Sequence, residues 1–167
     1  ENRRQATTDP LTGLCNRRHF EEVMRKEELL LARRGNSAAL LMLDIDHFKS
    51  FNDTYGHETG NRTLVAFASA LRNCLRRSDE IARIGGDEFV VLLRDCDSDQ
   101  GAQVAAKLLG VASETSIRID SSTCRNLEVS AGVAACPRHA ASLEETLLLA
   151  DVALLRLKQA VLDDIEV

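Results

Sequence analysis

The sequence lacks any cysteine pattern, although it contains five cysteines. They stand at positions 15, 74, 96, 124 and 136, are odd in number and never show a Cys-x-x-Cys spacing. Disulfide frameworks and structural zinc sites need paired or closely spaced cysteines, so both are disfavoured. A reducing cytosol, and therefore a cytoplasmic location, is the expected compartment.

Long apolar runs are also missing. No stretch approaches the roughly 18 uncharged apolar residues of a membrane-spanning helix, and the opening residues Glu1 to Arg4 do not resemble a signal peptide. We therefore expect no membrane contact from this part of the chain. It could still be the cytosolic domain of a membrane-bound sensor.

Positive charge is in deficit, with 21 Lys and Arg against 26 Asp and Glu residues and a net charge of −5. Because proteins held to nucleic acid by phosphate contacts carry excess positive charge, no nucleic-acid partner is expected. An acidic protein can still bind nucleotides through metal ions. The 167 residues, 44% of them hydrophobic, suit one globular domain with a sizeable core.

Two short β-rich runs flank the stretch Arg83-Ile84-Gly85-Gly86-Asp87-Glu88-Phe89. Two glycines and two acids between such runs predict a hairpin with carboxylates at its tip. Glycine tolerates positive φ and has no Cβ, so this turn would let a charged ligand approach the backbone closely. Asp87 and Glu88 repel each other, and a cation such as Mg²⁺ would relieve the repulsion and attract a phosphate. The alternative is a solvated turn without a ligand.

A second acidic point follows a continuous apolar run. The run covers residues 38–43 and stops at Asp44-Ile45-Asp46, which predicts a buried central strand opening onto a polar edge. A carboxylate there is costly without a cation or hydrogen bonds, although Asp44 could also be a capping aspartate. If neighbouring strands bring Asp44 to the hairpin tip, the carboxylates can hold the ions of a two-metal phosphoryl-transfer site that acts on a nucleoside triphosphate.

The remaining segments alternate between helical and extended patterns. Helices are predicted at 17–33, 61–77, around 105–112 and from Ser142 to Gln159, and further strands at 117–119 and 127–133. The polar, aromatic and glycine-dotted segment 47–60 predicts a functional loop with a helical turn. The acidic segment 94–99 predicts another loop, as does the polar segment 120–126.

Four blocks of this sequence together resemble the GGDEF domain, the diguanylate cyclase family. They are DPLTGLCNR at 9–17, DIDHFKSFNDTYGHETG at 44–60, RIGGDEF at 83–89 and ADVAL at 150–154. The resemblance covers nearly the whole chain and implies an α/β (α+β) fold, with a central, mostly antiparallel five-stranded sheet flanked by helices. Such a fold is similar to nucleotidyl cyclase and polymerase palm domains. Residues 1–167 would form a single domain, with residues 1–8 as the end of a linker helix from an upstream sensor or dimerising domain.

The resemblance also implies a reaction and a set of site residues. Two GTP molecules, one on each protomer of a head-to-tail homodimer, would condense to cyclic di-GMP and two pyrophosphates with the help of Mg²⁺ or Mn²⁺. The implied metal ligands are Asp44, the Ile45 carbonyl and Asp87, and the implied catalytic acids are Asp87, as proton acceptor, and Glu88. The implied substrate contacts are Phe48, Lys49, Asn52, His57, Asn61, Gly85, Gly86 and Lys158. The implied inhibitory product site consists of Arg76 and Asp79. Each residue also has a structural alternative: His57 could cap a helix, Phe48 could be core, and Arg76 could simply pair with Asp79.

Three positions depart from the family pattern. Asn61 stands where an aspartate usually accepts two hydrogen bonds from guanine, and the mismatch would weaken GTP binding by about 1–3 kcal/mol. Leu162 stands in place of an arginine, and Leu155 in place of a tyrosine. The departures keep a second hypothesis open, in which the domain has little or no activity and regulates by binding GTP or cyclic di-GMP. Another metal-dependent nucleotidyltransferase is a third, weaker interpretation.

Overall fold

The computed structural model describes residues 6–165, and it describes side chains from 6 to 160. Within that range the helices are α1 (Arg17–Arg34), α2 (Phe48–Tyr55), α3 (His57–Cys74), α4 (Ser98–Glu114) and α5 (Leu143–Ile165). The strands are β1 (Cys15–Asn16), β2 (Ala38–Ile45), β3 (Glu80–Arg83), β4 (Glu88–Arg94), β5 (Ser116–Arg118), β6 (Cys124–Asn126) and β7 (Val129–Cys136).

Five of these strands form one sheet in the order β1-β3-β4-β2-β7. All neighbours are antiparallel except the short β1, which pairs with β3 in parallel. The predicted mostly antiparallel five-stranded sheet flanked by helices is therefore confirmed. β5 and β6 form a separate two-stranded hairpin, so the predicted loop at 120–126 ends in a strand.

The central strand β2 is buried along its whole length because helices cover both faces of the sheet. Its odd-numbered residues, such as Leu41, share a core with residues of α3 and α4. Its even-numbered residues, such as Leu40, share a second core with residues of α1 and α5. This two-sided burial explains why the strand reads as a continuous apolar run and not as an alternating one. It also assigns Asp44, an even position, to the side of the sheet that faces α5.

The segment 47–60 is mostly helical, so its prediction as a loop was wrong. It contains α2 and the first turn of α3, which begins at His57 and not at Asn61. Gly56 separates the two helices with a φ of 90°, a value that favours glycine. α2 has no buried residue, and the apolar positions along one of its faces are aromatic. Phe51 packs on Phe48 and Tyr55, with ring centroids 6.5 and 4.9 Å apart.

Other boundaries differ by smaller amounts. α4 begins at Ser98, inside the predicted acidic loop, because Asp97 and Gln100 form a capping box at its start. Of the linker helix predicted at 1–8, residues 1–5 lie outside the described residues. Residues 6–8 are not helical, since Thr8 forms a β-bridge with Cys15. Between residues 6 and 165, no helix combines the length and the apolar character needed to cross a bilayer.

Candidate active site

The site is centred on Asp44, at the carboxyl end of the buried strand β2. Asp44 lies directly opposite Glu88, the first residue of β4, in the antiparallel register. Opposed residues on neighbouring strands project from the same face, so the tip of the β3–β4 hairpin is brought to Asp44. Asp44 is only 6% exposed, and its Oδ1 atom is buried without a hydrogen-bond partner. The two acidic points predicted from the sequence therefore meet.

Lys158, on α5, forms an ion pair with Oδ2 of Asp44. Burial raises the pKa of Asp44, and repulsion from Asp87 and Asp46 raises it further, although the Lys158 ammonium acts in the opposite direction. The carboxylate is thus short of positive charge even with the lysine in place. An additional cation would relieve this deficit.

Asp46, one residue beyond β2, has a separate partner. The hydroxyl of Ser130 on β7 donates a hydrogen bond to its Oδ1 over 2.7 Å. Asp46 also follows the strand into a turn, where His47 adopts a φ of 57°. The sequence pattern did not indicate Ser130, because the pairing of β2 with β7 is what brings it to this carboxylate.

The first turn of α2 lies immediately after this turn. His47 is the N-cap residue of α2, and its side chain makes no capping hydrogen bond. The backbone N–H groups at such a helix start attract anions, phosphates in particular. Lys49, in this first turn, is exposed, whereas Phe48 is half-buried and packs against the core.

A brace of hydrogen bonds holds the hairpin tip. The guanidinium of Arg83 donates to the Gly86 carbonyl over 2.9 and 3.0 Å and pairs with Asp9 at 3.1 Å. Asp9 in turn accepts hydrogen bonds from the amide and the hydroxyl of Thr12. This chain of contacts gives the 9–17 block a structural role that sequence reasoning left open.

The two glycines of the tip do not use the left-handed backbone conformation. Neither Gly85 nor Gly86 has a positive φ. A Cβ on Gly85 would lie 2.9 Å from the Glu88 carboxylate, whereas a Cβ on Gly86 would meet nothing within 4 Å. The absence of a side chain, more than backbone freedom, is therefore what glycine contributes here. It leaves open space over the tip next to Asp87.

The predicted substrate residues on α2 and α3 lie in two settings. Asn52 packs on Gly60, where a Cβ would come within 1.8 Å of its side-chain oxygen, and this Oδ1 atom is buried without a hydrogen-bond partner. His57 and Asn61, in the first two turns of α3, are exposed. Leu155 on α5 is also exposed, and the departure at Leu162 lies outside the residues whose side chains are described.

The oxygen ligands present fit a Mg²⁺ or Mn²⁺ ion that is shared with a substrate. Across the described side chains, no group of three or more acidic, histidine or cysteine residues is gathered closely enough to hold a metal alone. Magnesium, however, is commonly bound by one or two carboxylates together with substrate phosphates. The unpartnered oxygen of Asp44 and the adjacent hairpin carboxylates match that incomplete set.

Arg76 and Asp79 lie at the opposite end of β4. Their side chains pair at 3.1 Å, and Arg76 also donates to the Arg94 carbonyl over 2.6 Å. The Asp79 side chain is 2% exposed, whereas that of Arg76 is 58% exposed. Both line a cleft of about 410 Å³ together with Lys107 of α4. Sequence reasoning missed Lys107, which only the packing of α4 brings to the cleft that Arg76 lines.

Comparison with known proteins identifies the family. A family model described as "Diguanylate cyclase, GGDEF domain" matches residues 6–163. The chain is 38% identical over 155 residues to the probable diguanylate cyclase DgcC of Escherichia coli (strain K12), covering 93% of this chain and 41% of that protein. It is 39% identical over 167 residues to the diguanylate cyclase DgcP of Pseudomonas aeruginosa, covering 100% of this chain and 25% of that protein.

Among solved structures, the GGDEF domain of DgcB from Caulobacter crescentus, in complex with c-di-GMP, matches with a TM-score of 0.87 and 31% identity. The match covers 96% of this chain and 94% of that one. The chain therefore belongs to the GGDEF domain family of diguanylate cyclases, as its four sequence blocks predicted. It spans less than half the length of the two curated relatives named above.

Proposed function

We propose that this chain is an active diguanylate cyclase domain, which condenses two GTP molecules into cyclic di-GMP and two pyrophosphates. The observation that carries the proposal is the buried Asp44 carboxylate, with one oxygen unpartnered, beside the carboxylates of the hairpin tip. Membership of the family supports the choice of substrate and product.

Asp44, the Ile45 carbonyl and Asp87 would hold the Mg²⁺ or Mn²⁺ ions, and Glu88 would add negative charge beside them. Bound there, the ions would polarise the α-phosphate and lower the pKa of the attacking hydroxyl. Ile45 suits this role because it is the last residue of β2, so its backbone lies at the same edge of the sheet as the two carboxylates.

Asp87 is the proposed proton acceptor. The 3′-hydroxyl oxygen of one GTP bonds to the α-phosphorus of the other while its proton passes to Asp87. The bond between that phosphorus and the bridging oxygen breaks, and pyrophosphate leaves with the electron pair. The same step with the roles exchanged closes the ring. Because each protomer of a head-to-tail homodimer would hold one GTP, a single protomer would be inactive.

The surroundings of Asp44 supply the substrate contacts. The uncapped start of α2 supports a triphosphate site, with the Phe48 backbone and the Lys49 side chain as phosphate ligands. The open space over Gly86 leaves room for the phosphates. The further substrate residues are Gly85, Asn52, His57, Asn61 and Lys158, with Asn61 facing guanine and Lys158 a phosphate.

The test is a product assay. Purified protein is incubated with GTP and Mg²⁺, and cyclic di-GMP is measured by chromatography over a range of protein concentrations. We expect product formation that rises more steeply than linearly with protein concentration, because two protomers must meet. Asp87→Asn should abolish it, whereas Asp99→Asn, which removes the same charge from an exposed position on α4, should not.

Absence of product at high protein and GTP concentrations would exclude the cyclase activity for this domain. Binding of GTP or cyclic di-GMP without turnover would then favour a regulatory module. The curated relatives are longer than this chain, and we propose that an upstream sensor or dimerising domain controls the activity.

Arg76 and Asp79 form the proposed inhibitory product site. The exposed guanidinium of Arg76 is held in place by Asp79 and faces a cleft large enough for part of a dinucleotide. Arginine suits guanine and phosphate alike because its planar group donates two parallel hydrogen bonds. Calorimetry with cyclic di-GMP should show weaker binding for Arg76→Ala and unchanged binding for Arg77→Ala, its exposed neighbour. Equal affinities of wild type and Arg76→Ala would exclude the site.

A further inference from the structure

Lys158 is the cation that accompanies Asp44 in the structure. Its ammonium group lies on Oδ2, while Oδ1 of the same carboxylate is buried and unpartnered. A buried carboxylate without a counter-ion is strongly unfavourable. Lys158 therefore makes the burial of the Asp44 carboxylate tolerable.

The Lys158 side chain is also able to move away from Asp44. Its side chain is 39% exposed, and a flexible four-carbon stem carries its compact charge. Within the described part of the chain, its ammonium group pairs with Asp44. By contrast, Arg94 at the other end of the sheet is held by Glu27, Glu80 and the Ser78 carbonyl together. The three partners of Arg94 hold its guanidinium in place, whereas the single carboxylate does not hold the Lys158 ammonium group in the same way.

We infer that Lys158 is a displaceable internal counter-ion, which pairs with Oδ2 of Asp44 until a divalent metal ion binds the carboxylate. The inference rests on the proposed function only in that Asp44 is a metal ligand. Two cations on one carboxylate repel each other, so a metal ion that binds the free Oδ1 atom weakens the ion pair at Oδ2 and displaces the ammonium group. A metal ion that arrives alone leaves Lys158 without a partner, whereas one that arrives with a nucleotide brings phosphates for it. Lys158 thereby couples metal binding to nucleotide binding.

The test is a Mn²⁺ titration without nucleotide, in which electron paramagnetic resonance measures free Mn²⁺. Lys158→Met keeps the apolar stem and removes the charge. We expect its apparent Kd for Mn²⁺ to be about tenfold lower than that of the wild type, the scale of one like charge at contact range. Arg156→Met, which removes the same charge from an exposed position on the same helix, should change the Kd much less. With a non-hydrolysable GTP analogue present, the advantage of Lys158→Met should disappear.

The outcomes separate the two proposals. Equal Mn²⁺ affinities of wild type and Lys158→Met would overturn the counter-ion inference and leave the metal site intact. If Asp44→Asn leaves Mn²⁺ binding unchanged in the wild-type background and in the Lys158→Met background, Asp44 is not a metal ligand and both proposals are overturned.

A second measurement titrates the wild-type protein and uses substitutions only to assign resonances. The sequence contains four lysines, at 26, 49, 107 and 158, so a ¹³C label on the ε-carbons gives four resonances that single substitutions can assign. We expect Mg²⁺ to shift the Lys158 resonance in proportion to site occupancy and to leave Lys26 and Lys107 unaffected. A Lys158 resonance that does not move while Mg²⁺ saturates the site would overturn the inference.

Discussion

The two ends of strand β4 differ in how completely their polar groups are partnered. At the Glu88 end, Asp44 and Asn52 each keep a buried oxygen without a hydrogen bond, and the helix that follows β2 starts without a side-chain cap. At the Arg94 end, the guanidinium contacts Glu27, Glu80 and the Ser78 carbonyl. The two ends are about 20 Å apart along the strand.

This difference between the two ends of β4 indicates which polar groups serve function and which serve stability. Unpartnered buried oxygens destabilise a fold and persist where a ligand supplies the missing partner. An ion-pair network such as that of Arg94 stabilises the fold only while every member is present. We therefore expect substitutions at the Glu88 end to change catalysis and those within the ion-pair network of Arg94 to change stability.

The largest effect is expected for Asp44→Asn. Loss of a metal ligand should reduce cyclic di-GMP formation by about a thousandfold or more. The raised pKa of Asp44 means that its ionised form is disfavoured in the folded state, so the ionised group lowers stability at neutral pH and the amide does not. The thermal midpoint should therefore be unchanged or higher. An inactive variant with a clearly lowered midpoint would contradict the proposed division between the two ends.

Arg94→Met is expected to show the opposite pattern. It would leave Glu27, which is 7% exposed, without its cation and destabilise the protein by about 2–4 kcal/mol. Urea unfolding measures the change, and the activity of the folded fraction should remain near that of the wild type. Arg138→Met is the control, because its ion pair with Asp99 is exposed and should contribute about 0.5 kcal/mol or less.

Asn61→Asp tests the predicted guanine contact at the start of α3. Restoring a second acceptor for guanine should lower the KM for GTP by about fivefold or more, since it removes a mismatch of about 1–3 kcal/mol. Steady-state kinetics with GTP gives the value. Asn73→Asp, at an exposed position near the other end of α3, adds the same charge and should leave the KM unchanged. An unchanged KM in Asn61→Asp would show that the guanine contact lies elsewhere.

Asp9→Asn tests the brace beneath the hairpin tip and should have the smallest effect, about 1 kcal/mol at neutral pH. Burial alone would raise the pKa of Asp9, but hydrogen bonds from Thr12 and the charge of Arg83 outweigh it and lower the pKa below its usual 3.8. A lowered pKa stabilises the fold above the usual value, and this contribution declines as the pH falls through the folded-state pKa.

The stability difference between wild type and Asp9→Asn should accordingly be constant near neutrality and shrink below about pH 4. Urea unfolding at several pH values measures it. A difference that does not vary with pH would mean that the Asp9 charge has no role in the brace. Asp53→Asn, at an exposed position on α2, controls for the loss of one charge.

Much of this protein was determined by local sequence patterns. The apolar run before Asp44, the glycine-acid tip at 85–88 and the apolar spacing of 17–33 predicted a buried strand, a hairpin and a helix, and all three are present. These features depend on near neighbours in the chain, and for that reason spacing alone revealed them. α2 was missed because it is only eight residues long, buries no residue, and has its apolar positions as aromatic residues within a polar segment.

Tertiary structure alone decided which distant groups meet. The antiparallel register of β2 and β4 sets Asp44 against Glu88, and the packing of α5 on the sheet delivers Lys158 to the same carboxylate. The pairing of β2 with β7 brings Ser130 to Asp46, and α4 brings Lys107 to the cleft lined by Arg76. A side chain's neighbours across a sheet or between layers depend on register and packing over the whole chain, and no local pattern encodes them.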